Sequence, residues 1–322
     1  MLITLEEIAA ARQRIGAYLQ PTPLHRSPYY SDRIGADVYL KLETLQPTHS
    51  FKVRGASNAA LSLQDHELAR GLITASGGNH GLALAYIAGR LGASATIYLP
   101  QRTPQIKVDA IRALNAHVIL HGDAWDDANR LALEEATRSG RAYVHPFDNR
   151  AMMAGAATIV AELEEQEGPM DLIVVSVGGG GLIAGILSAV KQLRPTMRVF
   201  GVETLGADSM NQSLQAGKLV ELKAITSIVE SLGARRPGEL PFQLVRQHAQ
   251  GLVTVSDAQA TAAVAELLVE DKLLAEPATA CCLAALTLGK IPIHAGERVA
   301  VILCGANVSP AKVCEWLSQD RT

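Results

Sequence analysis

The run Leu172-Ile-Val-Val-Ser-Val-Gly-Gly-Gly-Gly-Leu182 decides the fold. No charge interrupts the chain from Leu172 to Val190, and by length alone that stretch could span a bilayer. Four glycines at its middle rule this out, because each costs a helix about 1 kcal/mol relative to alanine. The stretch instead reads as buried strand, tight turn and helix. Glycine lets backbone amides approach an anion closely, and the helix start adds a favourable dipole, so a phosphate is the natural occupant. Gly179-x-Gly181-x-x-Ala184 also satisfies the dinucleotide fingerprint, with Glu203 about 20 residues on where a ribose-binding acid belongs. This loop alone leaves a dinucleotide and another phosphate ligand both open.

The same strand-to-helix unit recurs on either side. Upstream, the pattern predicts strands at 72–75, 95–99, 117–120 and 142–144, separated by helices over 81–91, 104–114 and 124–138. Downstream, it predicts a helix from Ala151 to Glu165, strands at 172–177, 198–202, 252–255 and 298–303, and helices over 182–193, 257–270 and 277–288. Near the start, Thr4-Leu-Glu-Glu7 fits a capping box for a helix to Ile15, a strand covers 38–42, and a helix follows Lys52. Residues 207–250 read as irregular. Strand and helix alternating at this spacing predict an α/β fold of two open parallel-sheet lobes, helices on both faces, with the site in the cleft between them. The expected division is a large cofactor-binding domain of 1–65 and 150–322 and a small domain of 66–149.

Composition narrows the function. The chain has 322 residues, a net charge of −3 and 4% aromatics, with no basic tract, which excludes nucleic acid and an anionic membrane as expected partners. The N-terminus carries Glu6 and Glu7 where a secretory signal needs positive charge, and the four cysteines lack metal-ligand spacing, so a cytoplasmic protein is expected.

Three further segments carry chemistry. Thr74-Ala-Ser-Gly-Gly-Asn-His-Gly81 clusters hydroxyl, amide and backbone donors at a helix start, which suits a carboxylate. Ser76 or Asn79 alone would be read as an ordinary helix cap. The segment is no nucleophile elbow, because Thr74 stands at the first glycine position. Ser50-Phe-Lys-Val-Arg-Gly55 presents one lysine before a helix, and an isolated lysine is usually just solvated. Cys304-Gly-Ala-Asn307 lies at the carboxyl end of the last apolar strand, where ligands sit in open α/β sheets, although a lone cysteine reads as a small buried hydrophobe.

Taken in order, S-F-K-x-R-G, S-x-G-N-H-G, a tetraglycine loop and Cys-Gly-x-Asn resemble the β-family of pyridoxal-phosphate enzymes, fold type II, the tryptophan-synthase β-chain fold. The most similar branch is that of the serine/threonine dehydratases (threonine ammonia-lyases) and serine racemases. The similarity covers nearly the whole chain, including Leu40–Pro47 and Arg236–Glu239.

The resemblance implies pyridoxal 5'-phosphate as cofactor, with Lys52 forming the Schiff base and Phe51 packing against the ring. Gly178, Gly179, Gly180 and Gly181 would hold the phosphate, Asn79 would bond the ring hydroxyl, and Cys304 would face the ring nitrogen. Ser76, Gly77, Gly78, Asn79 and His80 would receive the substrate carboxylate. The implied reaction is β-elimination from a β-hydroxy amino acid such as L-threonine or L-serine, giving a 2-oxo acid and ammonia. Gly77 occupies the position where the racemases carry a second acid–base serine, so poor racemisation is expected. The family's divalent-cation site maps to Glu203 and Ala207 but lacks one carboxylate, because Ser209 replaces an acid. His49 replaces a glycine, and Glu230 lies in a segment that is usually acidic-Gly; neither has an assigned role. A dimer or tetramer is implied, and no end-product regulatory domain is expected past Asn307. The alternatives are a lyase or racemase for another amino acid, such as 3-hydroxyaspartate, on the same scaffold. From a different class come a non-catalytic binding protein or a dinucleotide-dependent oxidoreductase; a yellow protein bleached by hydroxylamine separates these from the first reading.

Overall fold

The computed structural model describes residues 1–319. Among the described residues ten strands form two sheets: β1 (Leu24–Arg26), β2 (Asp37–Lys41), β3 (Leu72–Ala75), β4 (Ala95–Leu99), β5 (His117–Leu120), β6 (Ala142–Tyr143), β7 (Leu172–Ser176), β8 (Arg198–Thr204), β9 (Gly251–Val255) and β10 (Arg298–Ile302). One sheet has the order β1-β2-β10-β7-β8-β9 and the other β5-β4-β3-β6. Every pairing is parallel except β1 with β2.

Alternation along the strands explains why both faces are covered. In β7, Leu172 and Val174 enter one apolar cluster with the helices Asp257–Glu270 and Pro277–Thr287, while Ile173 and Val175 enter another with the helices Arg150–Glu167 and Gly181–Leu193. β10 divides likewise, Val299 and Val301 to one side, Ala300 and Ile302 to the other. In β3, Leu72 faces one cluster of the smaller sheet and Ile73 and Ala75 its opposite. Uniformly apolar strands such as Leu172–Ser176 therefore signal burial on two faces.

The segment expected to be irregular holds two helices, Ser209–Ala216 and Glu239–His248. The first has little apolar periodicity and no cap from its own N-cap side chain; its leading amides are satisfied instead by Glu203, from a preceding strand. The second follows Pro237 and holds Pro241 in its first turn, where a missing N–H costs nothing. β1 and the helices Pro28–Ile34, Asp65–Arg70 and Pro310–Gln319 are too short or too polar to stand out from the sequence. Elsewhere, boundaries agree to within about two residues, and the Thr4–Glu7 capping box is present on the helix Leu5–Ile15.

Candidate active site

Four loops converge from the carboxyl ends of parallel strands: Ser76–His80 after β3, His145–Asp148 after β6, Val177–Gly181 after β7 and Leu303–Asn307 after β10. That is where loop donors and helix N-termini point at a ligand.

Lys52 opens the helix Lys52–Leu61 and is half-buried. Its Nζ donates to the Pro146 carbonyl at 2.6 Å and lies 5.2 Å from the centre of the Phe51 ring. Burial pushes this amine down to about 8. Phe51 is itself pinned by its N–H donating to the Cys304 carbonyl at 2.9 Å. Behind Lys52, Arg54 is fully buried and bonds both Glu43 (Nε, 2.7 Å) and Glu162 (Nη2, 2.8 Å), while Lys41 donates to Glu162 at 2.7 Å. Burial works against the Glu162 carboxylate, but Arg54 and Lys41 hold it below its ordinary range.

The glycine loop has no spare room. A Cβ on Gly179 would come within 2.3 Å of the Phe147 ring, one on Gly181 within 2.8 Å of the Phe147 carbonyl oxygen, and one on Gly178 within 3.0 Å of Leu232 Cα. Gly180 sits at φ +91°, a conformation that side chains resist. Among the described residues no side chain caps the 13-residue helix Gly181–Leu193, so its first amides remain for an anion. The helix Asn79–Arg90 likewise begins without a side-chain cap, behind Gly78.

Asn79 is fixed at both ends of its amide. Its Nδ2 donates to Glu276 Oε1 at 3.0 Å, and its Oδ1 accepts from Asn307 Nδ2 at 2.7 Å. His80 is buried, with Nε2 3.0 Å from the Val144 carbonyl and Nδ1 without a partner among the described residues; burial pushes its pKa down to about 3, so the ring is neutral. His145 is also neutral, pushed down by burial to about 4, and its Nδ1 accepts from the Asp148 N–H at 2.9 Å. Cys304 Sγ lies 3.3 Å from Ser176 Oγ and 3.2 Å from Thr279 Oγ1, and burial pushes its thiol up to about 12. The thiol is uncharged at neutral pH.

The structure thus brings Phe51, Lys52, Ser76–His80, Gly178–Gly181 and Cys304 to one cleft. The orphaned Nδ1 of His80, the buried Ser50 Oγ without a partner among the described residues, the uncapped glycine-loop helix and the partly neutral amine fit a phosphate-bearing aldehyde cofactor. Glu203 lies elsewhere: it is buried, pushed up to about 8 by burial, and accepts from the amides of Met210 (3.0 Å) and Asn211 (2.7 Å). Ser209 Oγ donates to the Ala234 carbonyl at 2.8 Å. Among the described residues no three His, Cys, Asp or Glu side chains converge to hold a metal ion. Also among them, no helix is long and apolar enough to cross a membrane.

His49 is at φ +54°, which explains why a glycine is usual there; its carbonyl accepts from the Ala306 N–H at 2.9 Å. Glu230 pairs with Lys107 and with Lys312 (3.8 Å), so it ties the helix after β4 to the far lobe. Sequence reasoning missed Pro146, Phe147 and Glu276. The first two follow a strand's carboxyl end, the signal that could have found them.

A protein-family profile described as "Pyridoxal-phosphate dependent enzyme" matches residues 15–305. An L-threonine ammonia-lyase of Thermotoga maritima is 36% identical over 307 residues, covering 95% of this chain and 76% of that one. The processed form of threonine deaminase isoform 2 from Solanum lycopersicum superposes with a TM-score of 0.90 at 34% identity, covering 98% and 88%. Maize serine racemase superposes with a TM-score of 0.92 at 29% identity, covering 98% and 97%.

Proposed function

The chain belongs to the pyridoxal-phosphate-dependent enzymes, and from that premise we propose how its residues divide the work of eliminating water from a β-hydroxy amino acid. The products are a 2-oxo acid and ammonia, and the substrates are L-threonine or L-serine, as the relatives' names suggest.

When bound, the cofactor withdraws electrons from Cα and so lets the Cα proton leave. Lys52 is assigned as its attachment point. Freed by the substrate amine, Lys52 is the base for the Cα proton. The Pro146 carbonyl, 2.6 Å from Nζ, steadies the resulting ammonium. The Cα–H electrons then form the Cα=Cβ bond, the Cβ–O bond breaks, and the hydroxyl takes the proton held on Lys52 and departs as water; hydrolysis of the enamine, which consumes one water, yields the 2-oxo acid and ammonia. We assign the amides of Gly178–Gly181 to the cofactor phosphate, the Asn79 amide to the ring hydroxyl, and the Ser76–His80 loop to the substrate carboxylate.

The observation that carries this reading is the uncharged Cys304 thiol between Ser176 and Thr279. A neutral partner cannot hold the ring nitrogen protonated as an aspartate would. A weaker electron sink favours prompt loss of the β-hydroxyl over transamination. Racemisation also needs an acid on the opposite face of Cα, and Gly77 supplies none. The test is to offer L-threonine, L-serine and 3-hydroxyaspartate and measure 2-oxo acid release by wild type and Cys304→Asp. The variant is expected to transaminate more and eliminate more slowly. An unchanged product ratio in the variant contradicts this reading.

We further assign residues 1–65 and 150–322 to a large domain (320–322 lie outside the described residues) and 66–149 to a small one. The working unit is proposed as a cytoplasmic dimer or tetramer; sedimentation of the purified protein as a monomer alone contradicts it.

A further inference from the structure

Glu276 has no assigned role, yet its side chain joins Asn79, Asn307 and Ser231. It is 4% exposed, and it precedes the helix Pro277–Thr287 as N-cap without capping it by its side chain. Its Oε1 accepts from Asn79 Nδ2 at 3.0 Å and from the Asn307 N–H at 2.8 Å, and its Oε2 accepts from Ser231 Oγ. Gly305 makes room for it, since a Cβ there would stand 2.9 Å from Glu276 Oε1 and 3.1 Å from Asn79 Nδ2.

An amide left free can present oxygen or nitrogen to a ligand with nearly equal ease. Here two contacts remove that freedom. Glu276 accepts, so the Asn79 nitrogen must face it; Asn307 Nδ2 donates, so the Asn79 oxygen must face Asn307. One N–H of Asn79 then remains for a ligand, and that group can only donate. Asn307 is held in turn, with its N–H on Glu276 and its Nδ2 shared between Asn79 Oδ1 and the Thr48 carbonyl at 2.9 Å. Glu276 also reaches Ser231 on the segment that packs against Gly178.

We propose that Glu276 is a positioning residue that fixes the Asn79 amide as a hydrogen-bond donor to the ring oxygen of pyridoxal phosphate. The proposal rests on the assignment of Asn79 to that oxygen. Both carboxylate oxygens of Glu276 are taken by Asn79, Asn307 and Ser231, so its effect on the ring oxygen runs through Asn79.

The test is a double-mutant cycle on the whole protein, with apoenzyme titrated by pyridoxal phosphate and the visible Schiff-base band recorded alongside thermal stability. Glu276→Leu is expected to weaken cofactor affinity about tenfold and move the band, as expected for the loss of one oriented hydrogen bond. Glu276→Gln keeps an acceptor toward Asn79 and Asn307 and is expected to stay within about twofold of wild type. In the Asn79→Ala background, Glu276→Leu and Glu276→Gln should cost nothing further. If the Glu276 and Asn79 losses multiply independently, the proposal is overturned. Should Glu276→Leu not fold, Glu276→Gln decides: a tenfold loss that persists in Asn79→Ala overturns it equally. Absence of any Schiff-base band in wild type would instead overturn the assignment of Lys52, a distinguishable result.

Discussion

Lys52 Nζ donates to the Pro146 carbonyl oxygen at 2.6 Å, so an amine that follows β2 of one sheet is held by a backbone oxygen that follows β6 of the other. A carbonyl oxygen binds an ammonium more strongly than an amine, so this contact favours the charged lysine and burial opposes it. Burial lowers the lysine from 10.5 to about 8.

Cofactor uptake should follow that titration, because only the neutral amine attacks an aldehyde. The rate at which apoenzyme takes up pyridoxal phosphate should rise about tenfold per pH unit below about 8 and level off above it. Stopped-flow absorbance across pH 6 to 10 measures this at roughly unit spacing. A rate still climbing steeply to pH 10, near the ordinary lysine range, contradicts the assigned environment.

Gly77 is tight as well as unreactive. A Cβ there would approach Thr103 Cγ2 at 3.2 Å and Leu99 Cδ2 at 3.5 Å. Gly77→Ser should therefore lower kcat/KM for elimination by roughly tenfold, as misplacement of a substrate loop does. Gly77→Ser with Thr103→Ser should recover part of that loss. Wild type incubated with L-serine should form no appreciable D-serine by chiral chromatography; rapid formation contradicts the role given to Gly77.

At His49 the backbone is left-handed at φ +54°, tolerable for histidine and costly for a β-branched residue. His49→Val should destabilise the protein by about 1–2 kcal/mol, whereas His49→Gly should be near neutral. Urea unfolding of the two variants compares them directly. Equal losses would place the effect in the His49 side chain, whose Nδ1 lies 3.3 Å from the Thr44 carbonyl.

Arg54 sits among buried acids. Arg54→Met leaves Glu43 and Glu162 facing each other with Lys41 as the remaining neighbouring cation of the cluster, and should cost about 3–5 kcal/mol. The loss should appear in the urea midpoint of the cofactor-free protein. A change below 1 kcal/mol contradicts a structural role for the cluster.

Much of the fold was readable because its strands are apolar on both faces and its helices carry ordinary start signals. Leu72–Ala75, Ala95–Leu99 and His117–Leu120 appear where the pattern puts them. What stayed hidden depends on distant partners. The helix Ser209–Ala216 borrows its cap from Glu203, and Glu276 meets Asn79 and Asn307 only through the fold. Lys107 and Glu230 are 123 residues apart and meet across the cleft. The motif residues were visible because glycines, a lysine and an asparagine stand at strand ends. The groups that orient them were not, since a glutamate before a helix or a proline after a strand is locally unremarkable in composition.

The most direct measurement is borohydride reduction of the holoenzyme followed by peptide mapping, paired with 2-oxo acid release from L-threonine by wild type and Lys52→Ala. The account predicts the reduced cofactor on Lys52 alone, 2-oxo acid and ammonia in equal amounts from wild type, and no measurable turnover by Lys52→Ala. A cofactor mapped to another lysine, or a Lys52→Ala variant that still turns over, contradicts it.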